Sequence, residues 1–278
     1  MKSLTHYIQE KLIIKKNKRI DYKYFPQKKE ELKAIINQRI DKEGNEVDLN
    51  DIDVSKITNM ISLFENLKDF NGDISNWDVS NVTDMSGIFV GCESFNQDIS
   101  DWDVSNVTNM NYMFYSCKAF NQDISDWDVS NVTSIKYMFY ECESFNQDIS
   151  SWDVSNVTNM MNMFYGCHLF NQDISNWNVS NVNNMKSMFR GCKSFNQDIS
   201  QWDVSNVNDM DFMFGSCESF NQDISDWDVS NVIDMRGMFY DCKSFNQDIS
   251  NWDVSNVKFL YDMFLYCNIK EKYKPKFK

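Results

Sequence analysis

From residue 73 onward the apolar positions of the chain keep a fixed order, which is clearest in the stretch FNQDISDWDVSNVTNMNYMFYSC, residues 95–117. Its apolar positions are Phe95, Ile99, Trp102, Val104, Val107, Met110, Met113, Phe114 and Cys117. Ser100, Trp102 and Val104 alternate with Asp101, Asp103 and Ser105. Period two predicts a short half-buried strand with Trp and Val inward and Asp and Ser outward. After Val107 the apolar spacing becomes three, three and one, with Cys117 three further on. That spacing predicts a short helix or 3-10 turn.

The same phrase returns every 25 residues, so Trp77, Trp102, Trp127, Trp152, Trp177, Trp202, Trp227 and Trp252 fall in one column and all eight Cys, Cys92 to Cys267, in another. A period between about 20 and 50 residues signals a solenoid, in which each unit buries its apolar face only against its neighbours. A worn first copy begins at Asp48, with Ile52 in place of Trp and Leu67 in place of Cys, and the last copy fades where Ile269 and Lys270 stand instead of FNQ. Atypical ends suit the caps of such an array. The expected organisation is an N-terminal helical segment over 1–46, nine tandem coils over 47–267 and a basic tail over 268–278. Each coil is read as a short parallel strand plus a short helix or 3-10 turn, and nine of them at the ~4.8 Å strand spacing give a rod or shallow arc about 43 Å long.

Residues 1–46 stand outside the repeat. Ser3 can cap a first helix with Leu4, Tyr7, Ile8 and Leu12 on one stripe, followed by the basic stretch Lys15 to Arg19. Pro26 can open a second, with Leu32, Ile35, Ile36 and Ile40 inward and Gly44 ending it. The second is expected to cover the first coil; the first is either a docking element for a partner or a further piece of cap.

The phrase FNQDIS-x-WDVSNVT-x-M-x-x-MF-x-x-C resembles the 25-residue repeat of the BspA-like leucine-rich-repeat surface proteins, in the variant familiar from Mycoplasma lipoproteins. The resemblance covers about four fifths of the chain. It implies a right-handed leucine-rich-repeat-type solenoid and a role in adhesion or protein recognition, with no established catalytic site. The start, MKSLTHYIQEKLIIKKNKR, departs from exported members, because Gln9, Glu10 and Lys11 interrupt any signal-peptide core. No run approaches the ~20 apolar residues of a membrane span. The expectation is a protein that stays in the cytoplasm of the producing cell, or is virion-associated if its origin is a phage or virus.

Charge divides the chain in three: 12 Lys/Arg against 7 Asp/Glu over 1–46, 10 against 33 over 47–267, and 5 against 1 over 268–278. An acidic array argues against nucleic acid as its ligand, since phosphate contacts need Lys and Arg. It leaves open a different role, an acidic mimic that inhibits a DNA- or RNA-binding enzyme. The simpler reading is solubility for a rod rich in Trp and Phe. Two Asp columns, through Asp98 and Asp103, run along the array, the second broken by Asn178. They read as acceptors for nearby N–H and Ser hydroxyls rather than as a calcium ladder. The Asn columns through Asn96 and Asn106 read as side-chain ladders for backbone groups, and one Cys per coil, without CxxC or Cys/His spacing, as a buried thiol. Neither a cofactor nor a metal is expected. The position after Cys alternates in sign from Glu93 through Lys118 and Glu143, with His168 between Glu143 and Lys193, a surface ion-pair stripe.

The strand phrase is nearly constant, so diversity concentrates around MxxMFxxC. Tyr112 with Tyr115, and Tyr137 with Tyr140, lie three apart, and Tyr165 and Tyr240 share the second position. These six, with Leu4, Tyr7, Ile8 and Leu12 of the first helix, are the candidate contacts for a protein partner. The sequence therefore reads as a non-enzymatic recognition or structural module.

Overall fold

The computed structural model describes residues 20–277. Among them the helical elements are α1, Lys29–Glu43, and a 3-10 turn, Glu271–Tyr273. Everything between stacks in coils of 25 residues, coil 1 over 48–72 and each later coil one period on. Parallel bridges run from Asn59↔Asp84 through Asn109↔Ser134 to Asp234↔Phe259, and these eight link nine coils without a slip of register. The chain is a repeat solenoid.

The interior of each coil departs from the expected strand and helix. Around Trp102 the backbone makes two tight turns, Trp102 N–H to Ile99 O at 3.1 Å and Val107 N–H to Val104 O at 2.9 Å. The cause lies in the polar residues of the phrase. Asp98 Oδ1 accepts the Ser100 N–H at 2.9 Å and Asp103 Oδ1 that of Ser105 at 3.1 Å, Asx turns that outcompete an extended chain. Trp102 and Val104 still point inward and Asp101 and Asp103 outward, as alternation predicts.

Residues 110–117 likewise form linked turns rather than a helix. Met113 donates to Met110 O, Tyr115 to Tyr112 O and Cys117 to Phe114 O, while Tyr112 and Ser116 sit at φ +59° and +56°. Left-handed residues at every fourth position cannot continue a right-handed helix. Four of the remaining N–H groups are freed to face the next coil. Those of Met110, Tyr112, Phe114 and Ser116 donate to Ser134, Lys136, Met138 and Tyr140 O at 3.2, 2.9, 2.9 and 2.7 Å. This stretch is the backbone seam of the stack.

Side chains add further bonds between coils. Trp127 Nε1 donates to Ile99 O at 3.2 Å, Asn131 Nδ2 to Ser105 O at 2.8 Å, Cys142 Sγ to Phe114 O at 2.9 Å, and Asn96 Oδ1 accepts the Asn121 N–H at 2.9 Å. Each such bond is worth about 1 kcal/mol net, and each buried carbonyl left bare would cost about 1–3 kcal/mol. The recurrence of the polar columns thus has the same origin as that of the apolar ones. Between them the core stacks aromatic on aromatic, with Phe114 4.0 Å from Phe120 within its coil and 5.6 Å from Phe139 in the next.

Helix α1 closes the N-terminal end. Leu32 and Ile36 are fully buried, whereas Ile35 and Ile40, expected inward, are only partly covered. Arg39 takes the third inward position instead. Its guanidinium binds Glu43 at 2.7 Å, Asp51 at 2.8 Å and Asp48 O at 2.9 Å, which ties the helix to coil 1. Lys29 and Lys33 donate to the carbonyls of Ile61 and Ser62, both at 3.2 Å. In an inner coil the carbonyl equivalent to Ile61 O, that of Asn111, takes a backbone N–H from Gly87 of the preceding coil. Pro26 is buried but lies upstream of the helix, whose N-cap is Lys28, and Gly44 ends it at φ +89° with its N–H on Ile40 O.

Candidate recognition surface

The seam that links the coils also decides which side chains leave the core. In coil 3 Asn111, Tyr112, Tyr115 and Ser116 project outward while Met110, Met113, Phe114 and Cys117 are buried, and in later coils the same columns hold some buried residues as well, Asn162, Ser187 and Asp211. The outward positions differ from coil to coil, so the surface they build is not repetitive.

In coils 3 to 5 that surface is aromatic. Tyr112 stacks on Tyr137 at 4.7 Å between ring centroids, Tyr115 on Tyr140 at 4.5 Å and Tyr140 on Tyr165 at 4.5 Å, with interplanar angles of 10°, 1° and 10°. The two rows touch, Tyr112 to Tyr115 at 6.1 Å and Tyr137 to Tyr140 at 5.7 Å. A spacing of three places each pair side by side, and the coil repeat sets one pair on the next. Burial raises the Tyr112, Tyr115 and Tyr140 hydroxyls above their ordinary pKa, with neighbouring tyrosines adding to it for Tyr112 and Tyr140, so all three are neutral at physiological pH. Tyr240 stands apart, 5.9 Å from Phe212 and 5.7 Å from Tyr266, because Arg190 and Gly215 occupy its position in the two coils between it and Tyr165. Leu4, Tyr7, Ile8 and Leu12 lie outside the described residues.

The stack ends differently on its two sides. Toward the C-terminus Arg190 covers it, its guanidinium carbon 5.7 Å from the Tyr165 ring centroid and 4.2 Å from that of Phe212. Toward the N-terminus the residues equivalent to Tyr112 are Gly87 and Ser62, and the surface steps down. The step is a groove of about 470 Å³ with Tyr112, Tyr115 and Tyr137 as its wall and Ile61, Ser62, Glu65, Ser86, Gly87 and Val90 as the rest of its lining.

Further along, the column of Asn111 and the neighbouring column of Asn109 turn charged. Lys186 reaches Asp211 at 2.7 Å, and Arg236 reaches Asp234 at 2.6 Å and Asp211 at 3.6 Å while donating to the Tyr261 hydroxyl at 2.9 Å. Asp211 is buried, and its Oδ1 has no hydrogen-bond partner among the described residues. Sequence reasoning singled out neither this cluster nor Arg190 and Phe212. The available signal was the column: Phe212 stands in that of Tyr112, and Arg190 in that of Tyr115.

A second stripe follows the Cys column. Glu93 lies between Lys68 at 3.4 Å and Lys118 at 3.3 Å, and Glu218 between Lys193 at 3.9 Å and Lys243 at 3.1 Å. His168 interrupts the alternation and places Nδ1 3.0 Å from Gly191 O. Among the described residues no group of three or more His, Cys, Asp or Glu is placed to hold a metal ion, and no helix is long and apolar enough to cross a membrane.

No curated protein matches the chain. A family described as Mycoplasma protein of unknown function, DUF285, matches residues 31–147, 101–199 and 171–275. Because these three stretches overlap to run unbroken from residue 31 to residue 275, the chain belongs to that family of Mycoplasma repeat proteins.

Proposed function

We propose that the solenoid is a non-enzymatic recognition module that binds a protein partner through the tyrosine face of coils 3 to 5. The observation that carries this reading is the conformation of Tyr112 and Tyr137. Both hold left-handed backbone, φ +59° and +58°, at a position where Gly87 and Gly237 serve other coils. A bulky residue there costs about 1–3 kcal/mol, and the coil does not require it. Strained aromatics set in a row on an outward face are suited to contact. The resemblance of the repeat to BspA-like leucine-rich-repeat surface proteins supports adhesion or protein recognition as the class of activity.

The test is affinity capture from the producing cell with the wild-type chain and with Tyr137→Asn combined with Tyr140→Ser. Loss of one captured protein from the variant, with the melting temperature preserved, is the expected result. Equal capture by both chains would refute it. Capture of a basic nuclease that is released by moderate salt would favour the acidic-mimic reading instead.

A further inference from the structure

We infer that the groove beside Tyr112 is a receptor for an arginine side chain of a protein partner, an inference that rests on the reading of the tyrosine face as a recognition surface. One face of the Tyr112 ring is covered by Tyr137 at 4.7 Å. Tyr112 is nonetheless 39% exposed, and it walls a groove of about 470 Å³ that begins where the row of rings stops. The next rung of that row is Gly87, whose φ of +63° matches the +59° and +58° of Tyr112 and Tyr137. The backbone for another rung is therefore in place and the side chain is not. A flat group seated over Gly87 continues the stack.

Charge selects which flat group. Among the described residues that line the groove Glu65 is the one that carries a charge, while Lys29 and Lys33 of α1 are held on the carbonyls of Ile61 and Ser62. A neutral ring would stack on Tyr112 yet cover the Glu65 carboxylate without pairing it, which costs free energy. An ammonium would meet the carboxylate but lacks a plane to lay on the ring. A guanidinium does both, since it stacks through cation–π attraction and offers paired N–H donors to a carboxylate. The chain supplies its own precedent at the C-terminal end of the neighbouring row, where Arg190 sits over Tyr165 and Phe212. The arginine of a partner would do at the N-terminal end of the Tyr112 row what Arg190 does at the C-terminal end of the Tyr115 row.

The experiment titrates the full chain with capped tripeptides, Gly-Arg-Gly, Gly-Lys-Gly and Gly-Tyr-Gly, and follows backbone amide shifts by NMR. The arginine peptide should give saturable shifts centred on Glu65, Gly87 and Tyr112, and the lysine peptide should bind about tenfold more weakly. Gly87→Tyr adds the missing ring on a backbone that already carries Tyr in coils 3 and 4, and it should abolish the shifts while lowering the melting temperature only modestly, since a side chain at φ +63° is strained and its Cβ would lie 3.2 Å from Val90 Cγ2 and 3.3 Å from Ser62 Oγ. Glu65→Gln, an exposed change, should weaken binding several-fold and serves as the second variant should Gly87→Tyr disturb the fold. Equal binding of lysine and arginine peptides, preference for the tyrosine peptide, or unchanged arginine binding by either variant would overturn the inference. Its failure is distinguishable from that of the wider reading: partner capture that needs Tyr137 and Tyr140 but tolerates Gly87→Tyr removes the arginine site and leaves the recognition face standing.

Discussion

Trp152 donates its indole N–H to the carbonyl oxygen of Ile124, 28 residues earlier and one coil away, at 3.1 Å. The bond recurs from Trp77 to Leu49 O through Trp252 to Ile224 O, so each indole both fills its own coil and satisfies a carbonyl of the coil before. Trp152→Ala removes a large buried side chain and leaves the Ile124 carbonyl bare, and should cost roughly 3–5 kcal/mol. Trp152→Phe keeps most of the ring but not the donor and should cost less, about 1–3 kcal/mol. Chemical denaturation of both variants beside the exposed change Glu143→Ala tests the assignment. Similar losses for Trp152→Ala and Glu143→Ala would refute the inward, hydrogen-bonded indole.

That dual role marks the boundary of what the sequence made legible. The period of 25, the inward columns and the worn ends follow from counting, because burial between identical coils forces one residue type into each place. The path of the backbone within a coil did not follow. Alternation of Trp102 and Val104 with Asp101 and Asp103 fits a strand, yet the Asp98 and Asp103 carboxylates capture local N–H groups and convert the extended reading into turns. Arg39 escaped the reading of α1 for a related reason: an apolar stripe predicts which residues avoid water, not which charge finds Asp51 and Glu43 waiting. Pairs of tyrosines three apart were visible in the sequence, whereas the empty rung at Gly87 required the register of one coil on the next.

The thiols offer a second measurement. Cys117 to Cys242 are buried, each with its Sγ–H on the carbonyl of a Phe in the preceding coil, as in Cys167 to Phe139 O at 2.9 Å. Burial pushes the Cys92 thiol up to about 12, so its thiolate is scarce at neutral pH. Cys267 alone is partly exposed. Ellman's reagent at pH 8 should therefore titrate one thiol quickly in the native protein and all eight in denaturant, with mass spectrometry of the first adduct locating it at Cys267. Rapid reaction of a Cys in the middle of the array would show that the coils open there.

The junction of α1 with coil 1 should behave as a local unit. Burial works to raise the Asp51 carboxyl, but hydrogen bonds from Arg39 and Lys23 hold it below the ordinary carboxylate range. Arg39→Met keeps the apolar stem and leaves Asp51 and Glu43 facing each other, at a cost of about 2 kcal/mol for a pair that is not fully buried. Hydrogen exchange is the informative probe, because the loss should concentrate in α1 and coil 1 and spare coil 5. Uniform loss across all coils, or none in α1, would remove Arg39 as the tie between cap and array.

Acid sensitivity follows from the Asx turns. The hydroxyl and N–H of the Ser two residues on hold Asp148, Asp153, Asp228 and Asp248 below the ordinary Asp value of 3.8. A carboxylate whose folded pKa is depressed stabilises the fold fully above its unfolded value and loses that contribution as the pH falls through its folded one. The melting temperature should thus fall below about pH 4. Asp209, raised chiefly by burial, works in the opposite sense and only softens the fall. Coil 6 contains a natural control, since Asn178 accepts from the Ser180 N–H at 3.1 Å and its hydroxyl at 2.7 Å without carrying a charge. Asp153→Asn together with Asp228→Asn should keep these turns, leave the melting temperature near pH 7 almost unchanged and flatten the acid limb. A limb as steep as that of the wild type would assign acid unfolding to groups other than the Asx turns.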